Sequence, residues 1–227
     1  MNDILNEKNM MSNFSALTQK ISLFQQKRPV VSLTLNIVHT YQMVNKRTVD
    51  DVTQQPIVDE NGYVILPINF KIYEYEVVRL IAKGDTSAVY QLKHKDDFFC
   101  LKLSRLQEKF QSAIRNEMTM LNLVQKHSKL IAPRFVNALS IQNSQGFISD
   151  FYDLNLLQLI QMTQNQGLQL QYTKLLALQL AHYLQIMSKL QMTHGDVVPA
   201  NIVMSSAQPS EVRLVDFSNG SLQNDFQ

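Results

Sequence analysis

His194-Gly195-Asp196-Val197-Val198-Pro199-Ala200-Asn201, followed after the branched run Val212-Arg213-Leu214-Val215 by Asp216-Phe217-Ser218, decides how the rest of this chain is read. Asp and Asn favour turns, so each residue alone is an ordinary loop former. Together they place two carboxylates and an amide on two loops joined by a strand. Such a set of hard oxygen donors suits Mg²⁺, which keeps part of its water shell and takes few protein ligands. The same arrangement can position a hydroxyl near a terminal phosphate. Phosphoryl transfer asks little more of a protein than positioning and charge neutralisation.

Working outward, Tyr172 to Met192 reads as a long helix, with apolar residues (Leu175, Leu176, Leu180, Tyr183, Leu184, Ile186, Met187) on most sides. A helix apolar all round belongs inside something. Leu154 to Met162 reads as a shorter helix. Upstream, Tyr75–Lys83, Val89–His94 and Phe98–Leu103 read as strands separated by the turn formers Gly84-Asp85-Thr86-Ser87 and Lys95-Asp96-Asp97. Phe110, Ala113, Ile114, Met118, Leu121 and Val124 recur at helical spacing, so a helix is expected from Leu106 to His127. Phe135–Ile141 and Gly146–Tyr152 read as two further strands. Five strands with a helix after the third form a small α+β lobe.

The His-x-Asp-x-x-x-x-Asn loop and the Asp-Phe-Gly-like triplet resemble the catalytic and magnesium loops of protein kinases. The resemblance implies a bilobal α+β fold with a five-stranded N-lobe, its helix, and a partial, mainly helical C-lobe. It implies ATP and Mg²⁺ as cofactors. Asp196 would accept the substrate hydroxyl proton, and Asn201 and Asp216 would hold the metal. His194 would brace the loop.

Phe99-Cys100-Leu101-Lys102-Leu103 stands where kinases carry the Val-Ala-Ile-Lys strand. Lys102 would contact the α/β phosphates, Glu117 would pair with it, and Cys100 would lie beneath adenine as a small residue rather than a reactive thiol. Ile81-Ala82-Lys83-Gly84-Asp85-Thr86-Ser87-Ala88-Val89 resembles the glycine-rich loop, with Ala82 and Ser87 in place of two glycines and Val89 packing on adenine. Ser149-Asp150-Phe151-Tyr152 reads as gatekeeper and hinge, where backbone groups of Asp150 and Tyr152 would bond the base. Asp59-Glu60-Asn61-Gly62-Tyr63-Val64 and Tyr152-Asp153-Leu154-Asn155-Leu156 are similar to the acidic leader and post-hinge segment of dual-specificity tyrosine-regulated kinases.

The resemblance divides the chain into a polar extension (1–28), a leader (29–70) in which Leu35–Lys46 resembles a helix, an N-lobe with hinge (71–152) and a partial C-lobe (153–227). Three departures count against efficient catalysis. Val198 stands where the catalytic-loop lysine is expected, the glycine loop is eroded, and Ser218 replaces a glycine. No activation segment or Ala-Pro-Glu-like motif precedes Gln227, so a weak or inactive kinase is expected, with a pseudokinase scaffold or a fragment of a longer kinase as alternatives. A protein partner covering the apolar helix is expected on the same ground.

Composition narrows the classes. A net charge of +2 over 227 residues, spread without Lys/Arg blocks, gives no footprint for nucleic acid. No run approaches the length of a membrane span. One cysteine rules out an intramolecular disulfide framework, and the N-terminus lacks the pattern of a signal peptide, so an intracellular location, cytoplasmic or nuclear, is expected. His94, His127 and His182 show no metal-ligand spacing.

Overall fold

The computed structural model describes residues 55–164 and 166–222. The expected polar extension and the leader helix at 35–46 lie outside them. The described leader begins as a hairpin, β1 (Ile57–Val58) against β2 (Val64–Ile65), closed at Asp59 to Gly62. Asp59 closes it by accepting from the Asn61 and Tyr63 amides, the usual way Asp mimics a backbone turn.

The main sheet has six strands in the order β3-β4-β5-β6-β8-β7. They are β3 (Lys71–Ile72), β4 (Tyr75–Lys83), β5 (Ser87–His94), β6 (Asp97–Ser104), β7 (Phe135–Ile141) and β8 (Ser144–Asp150). The five long strands correspond to those read from the sequence, but β8 runs Ser144–Asp150 and stops short of the expected Tyr152, and β5 and β6 take in Ser87 and Asp97, expected in turns; β3 is a short edge that its two residues could not announce. Helix α1 (Glu108–His127) follows β6. It starts two residues later than the periodicity suggests because Gln107 remains extended, at φ −64° and ψ 136°.

Side chains alternate between faces along each strand, and this alternation builds two cores. Ala88, Tyr90 and Leu92 of β5 join Phe99, Leu101 and Leu103 of β6 and Ile148 of β8 on the outer face, where Val64 and Leu66 of the leader cover them. The Tyr90 hydroxyl, buried there, donates to the Val64 carbonyl and accepts from the Leu66 amide. On the opposite face, Phe147 joins Ile114, Leu121 and Val124 of α1 in a second core that runs through Phe217 into the C-terminal lobe.

That second lobe begins with β9 (Leu154–Asn155), then α2 (Leu156–Met162) and α3 (Leu170–Lys189). Helix α3 begins two residues before the expected Tyr172, and two other boundaries differ for local reasons. Helix α2 starts at Leu156, not Leu154, because Asn155 and Gln158 form a reciprocal capping box and residues 154–155 pair with a later strand. Helix α3 stops before Met192 because Gln191 turns left-handed at φ 54°. Met192–Thr193 then forms β10, paired with β13 (Ser221–Leu222).

The hairpin of β11 (Ile202–Ser205) and β12 (Gln208–Leu214) carries the two chemistry-bearing loops at its ends. Strand β12 starts four residues before the expected Val212. Pro209 falls inside it, and β12 is the edge of its three-stranded sheet, where proline is tolerated.

Helix α3 is not enclosed. Tyr172, Leu176, Tyr183 and Met187 are buried, and the Tyr172 and Tyr183 hydroxyls donate to the Pro209 and Val212 carbonyls. The opposite side leaves Leu178 69% exposed and Leu184 46% exposed. Among the described residues, no helix is long and apolar enough to cross a membrane.

Candidate functional site

Two strands and a helix bring the first three groups together. On β6, Lys102 pairs with Val89 of β5 on one side and Phe147 of β8 on the other. Its even position turns it away from the leader, towards α1. Glu117 lies on the buried face of α1. The Lys102 Nζ sits 2.7 Å from Glu117 Oε2 and 2.8 Å from Asp216 Oδ1. The Glu117 contact is an ion pair whose angles fall outside those of a hydrogen bond, whereas Asp216 Oδ1 accepts a hydrogen bond.

The electrostatics follow from these contacts. Burial opposes the charge on Lys102, but the two carboxylates outweigh it and its pKa is raised. Burial also works against the Asp216 charge, yet Lys102 and the hydroxyl and amide of Ser218 hold its pKa below the usual range. Asp216 adopts the left-handed region, φ 66° and ψ 65°, which Asp enters more readily than most residues. The Ser218 hydroxyl donates to Asp216 Oδ1 at 2.8 Å, so serine at the glycine position adds a bond to the carboxylate.

The second loop is braced to the first. The Asn201 amide nitrogen donates to the Asp196 carboxylate at 2.9 Å and to its carbonyl at 3.1 Å. The Asn201 carbonyl accepts from the Val215 amide at 3.0 Å, next to Asp216. His194 is buried, its ring 4.3 Å from that of Phe217, and its Nδ1 accepts from the Asp196 amide at 3.3 Å. The expected bracing role for His194 has this geometry.

Burial lowers the His194 pKa, with the Val215 backbone and the Asp216 and Asp196 carboxylates opposing it. Burial thus favours the neutral imidazole in the fold, while the unfolded chain takes up a proton near pH 6.5. Stability from this group is complete above that value and falls as pH drops through it towards the folded pKa. We expect thermal unfolding to shift down between pH 7.5 and 5.5, with a slope from this group of at most about 1.4 kcal/mol per pH unit. His194→Gln should flatten that part of the profile; an unchanged profile would rule out His194 as its source.

The remaining expected residues lie on the neighbouring strands and the hinge. Ala82 pairs with Val89 across the base of the loop at Gly84. Cys100 pairs with Ser149, and burial pushes its thiol up to about 12, which suits a packing residue and not a nucleophile. At the hinge the Asp150 amide donates to the Arg134 carbonyl, and its carboxylate pairs with the Arg134 guanidinium at 2.9 Å. Tyr152 follows, half-buried, its pKa raised by burial. Val198 is partly exposed at the start of a short 3₁₀ turn and offers no charge.

Sequence reasoning missed Asn116. Its amide donates to the Ser218 carbonyl at 3.1 Å and the Gly220 carbonyl at 2.8 Å, clamping the triplet to α1. Nothing in the local pattern marks it beyond its place beside Glu117. Also unread was Gly195, at φ +80°, where an added Cβ would lie 2.3 Å from the Asn219 carbonyl oxygen.

A protein kinase domain profile matches residues 75–225, more than half of the chain. The chain belongs to the protein kinase family. It is similar to a putative dual specificity tyrosine-phosphorylation-regulated kinase 3 homolog of Drosophila melanogaster, 23% identical over 171 residues, covering 73% of this chain and 21% of that protein. It is also similar to human dual specificity tyrosine-phosphorylation-regulated kinase 4, 26% identical over 172 residues, covering 73% of this chain and 33% of the relative. The chain thus spans only about a fifth to a third of the length of these relatives. A crystallised kinase domain superposes with a TM-score of 0.68 at 16% identity, covering 74% of this chain and 58% of that one. The fold is accordingly a partial bilobal α+β kinase fold.

In this kinase frame the oxygen donors of Asn201 and Asp216 suit a hard divalent cation. Among the described residues no group of three or more His, Cys, Asp or Glu side chains forms a metal cage. The site fits Mg²⁺ arriving with phosphate and water oxygens, which is how that ion is commonly held.

Proposed function

We propose that this chain binds Mg·ATP in the cleft between its lobes and is a member of the dual-specificity tyrosine-regulated branch with slow phosphoryl transfer to protein Ser, Thr or Tyr. The observation that carries this reading is the Lys102 ammonium between two carboxylates, from α1 and from the Asp216 loop. Lys102 would meet the α/β phosphates, with Glu117 holding it extended. Adenine would lie between Val89, Ala82 and Cys100 and bond backbone groups of Asp150 and Tyr152. Asn201 and Asp216 would hold Mg²⁺, which neutralises phosphate charge when bound. Asp196, oriented by the Asn201 amide, would receive the proton of the attacking hydroxyl.

Val198 supports the slow rate. A cation at that position would stabilise charge on the transferring phosphate, and losing one such donor costs about 2.7–4 kcal/mol in comparable sites. The same feature favours a second reading, a nucleotide-binding scaffold that acts by contact with a protein partner. The exposed Leu178 and Leu184 of α3 offer a surface for that contact.

A ligand that binds only the folded state raises its melting temperature. Mg·ATP should raise that of the purified chain, and Asp216→Asn should lose most of the Mg²⁺-dependent part of the shift. A wild-type chain that melts cooperatively with no shift would sink the nucleotide reading. Phosphate transfer to a basic protein substrate, lost in Asp216→Asn, would separate kinase from scaffold.

A further inference from the structure

The turn between β4 and β5 is held from one side. The Tyr63 hydroxyl of the leader donates to the Gly84 carbonyl at 2.5 Å. The Arg105 guanidinium donates to the Asp85 carbonyl at 3.0 Å and to the Asn61 carbonyl of the leader at 2.8 Å. Asp59 pairs with Lys83 at 2.8 Å, and the Arg105 amide donates to the Thr86 carbonyl at 2.9 Å. The Lys83 and Arg105 cations lie 4.8 and 5.0 Å from the Tyr63 ring centroid, where the ring's negative face attracts them.

Peptide geometry converts this into a direction. Among the described residues every peptide is trans, so a carbonyl and the following amide hydrogen point opposite ways. With the Gly84 and Asp85 carbonyls drawn to the leader side, the Asp85 and Thr86 N–H groups are turned away from it. The leader covers the outer face of the sheet, with Tyr90, Leu101 and Leu103; Val89 and Lys102 lie on the other face. Successive N–H groups presented to one side form an anion-binding concavity.

We infer that the leader hairpin is a strap that fixes the turn with the Asp85 and Thr86 amides facing the phosphates, Tyr63 and Arg105 being its positioning residues. In a loop with Ala82 and Ser87 in place of glycines, orientation is imposed from outside instead of being found on binding. A turn fixed in this way loses less entropy when the ligand arrives. The inference rests on the nucleotide reading above and adds the feature by which the site would prefer triphosphates.

The test uses the whole chain with Tyr63→Phe, which keeps the ring and its cation contacts, and with Tyr63→Phe/Arg105→Met. Dissociation constants for Mg·ATP and adenosine are measured beside amide hydrogen exchange at residues 84–87. The double variant should weaken Mg·ATP about tenfold, as expected for losing the two hydrogen bonds that reach the turn itself, leave adenosine unchanged and speed exchange in the turn. Tyr63→Phe alone should give an intermediate result. Equal weakening of Mg·ATP and adenosine, or no change in either, overturns the strap. If the wild type binds neither ligand the nucleotide reading has failed, and exchange decides alone: faster turn exchange supports the strap and unchanged exchange refutes it.

Discussion

Lys102→Ala is expected to cost about 3–5 kcal/mol of stability and to abolish the melting shift with Mg·ATP. The reason is the company Lys102 leaves behind. Glu117 is 2% exposed, and its Oε2 has Lys102 as its charge partner. Removing one member of a buried pair strands the other in a medium that cannot solvate it, which is where the figure comes from. Asp216 loses a contact too, but its side chain is 37% exposed and water can replace part of what is lost.

A second variant separates folding from function. Lys102→Met/Glu117→Leu removes both charges and fills the space with apolar groups. Such replacements are often neutral or stabilising, so the double variant should recover most of the lost stability while still giving no shift with Mg·ATP. A persistent Mg·ATP shift in the double variant would show that Lys102 is no part of the nucleotide site. Stability unchanged in Lys102→Ala would show that Glu117 is less isolated than its burial implies.

The second large effect is expected at Gly195, the middle of a loop that reads His-Arg-Asp in kinases at large. Gly195→Arg should lower stability by roughly 2–4 kcal/mol. Two costs combine: the backbone is left-handed at φ +80°, and any Cβ would sit 2.3 Å from the Asn219 carbonyl oxygen. Gly167 supplies the control, since it has φ +87° and nothing within 4 Å of an added Cβ. Gly167→Ala should therefore cost only the conformational part, about 1–2 kcal/mol. Equal losses at both positions, measured by urea unfolding, would leave no role for the close approach of Asn219.

The close approach comes from the turn that follows Phe217. The turn after Phe217 comes back to pair Ser221 and Leu222 with Thr193 and Met192, and this brings Asn219 against the loop. Asn116 holds the same turn from α1 through the Ser218 and Gly220 carbonyls. The triplet is thus clamped on two sides.

Much of this was legible because local chemistry and long-range packing ask for the same residues. The alternation of Phe99, Leu101 and Leu103 with Cys100 and Lys102 marks a two-faced strand, so the face of Lys102 follows from the period. The spacing of Ile114, Leu121 and Val124 puts Glu117 on the buried side of α1 in the same way. Strand and helix existence were therefore readable from period, the Lys102, Glu117, Asp196, Asn201 and Asp216 set came from the resemblance, and the structure brings Lys102, Glu117 and Asp216 into contact.

Tertiary structure decided what period does not encode. The burial of only one side of α3 depends on which elements pack against it, not on its own composition. The start of β12 at Gln208 depends on its edge position, which excuses Pro209. Asn116, Gly195 and the Tyr63 and Arg105 contacts join segments far apart in the chain through one or two hydrogen bonds or one close approach. Such contacts leave no periodic trace, because one donor meeting one carbonyl constrains a position in space and not a pattern in sequence.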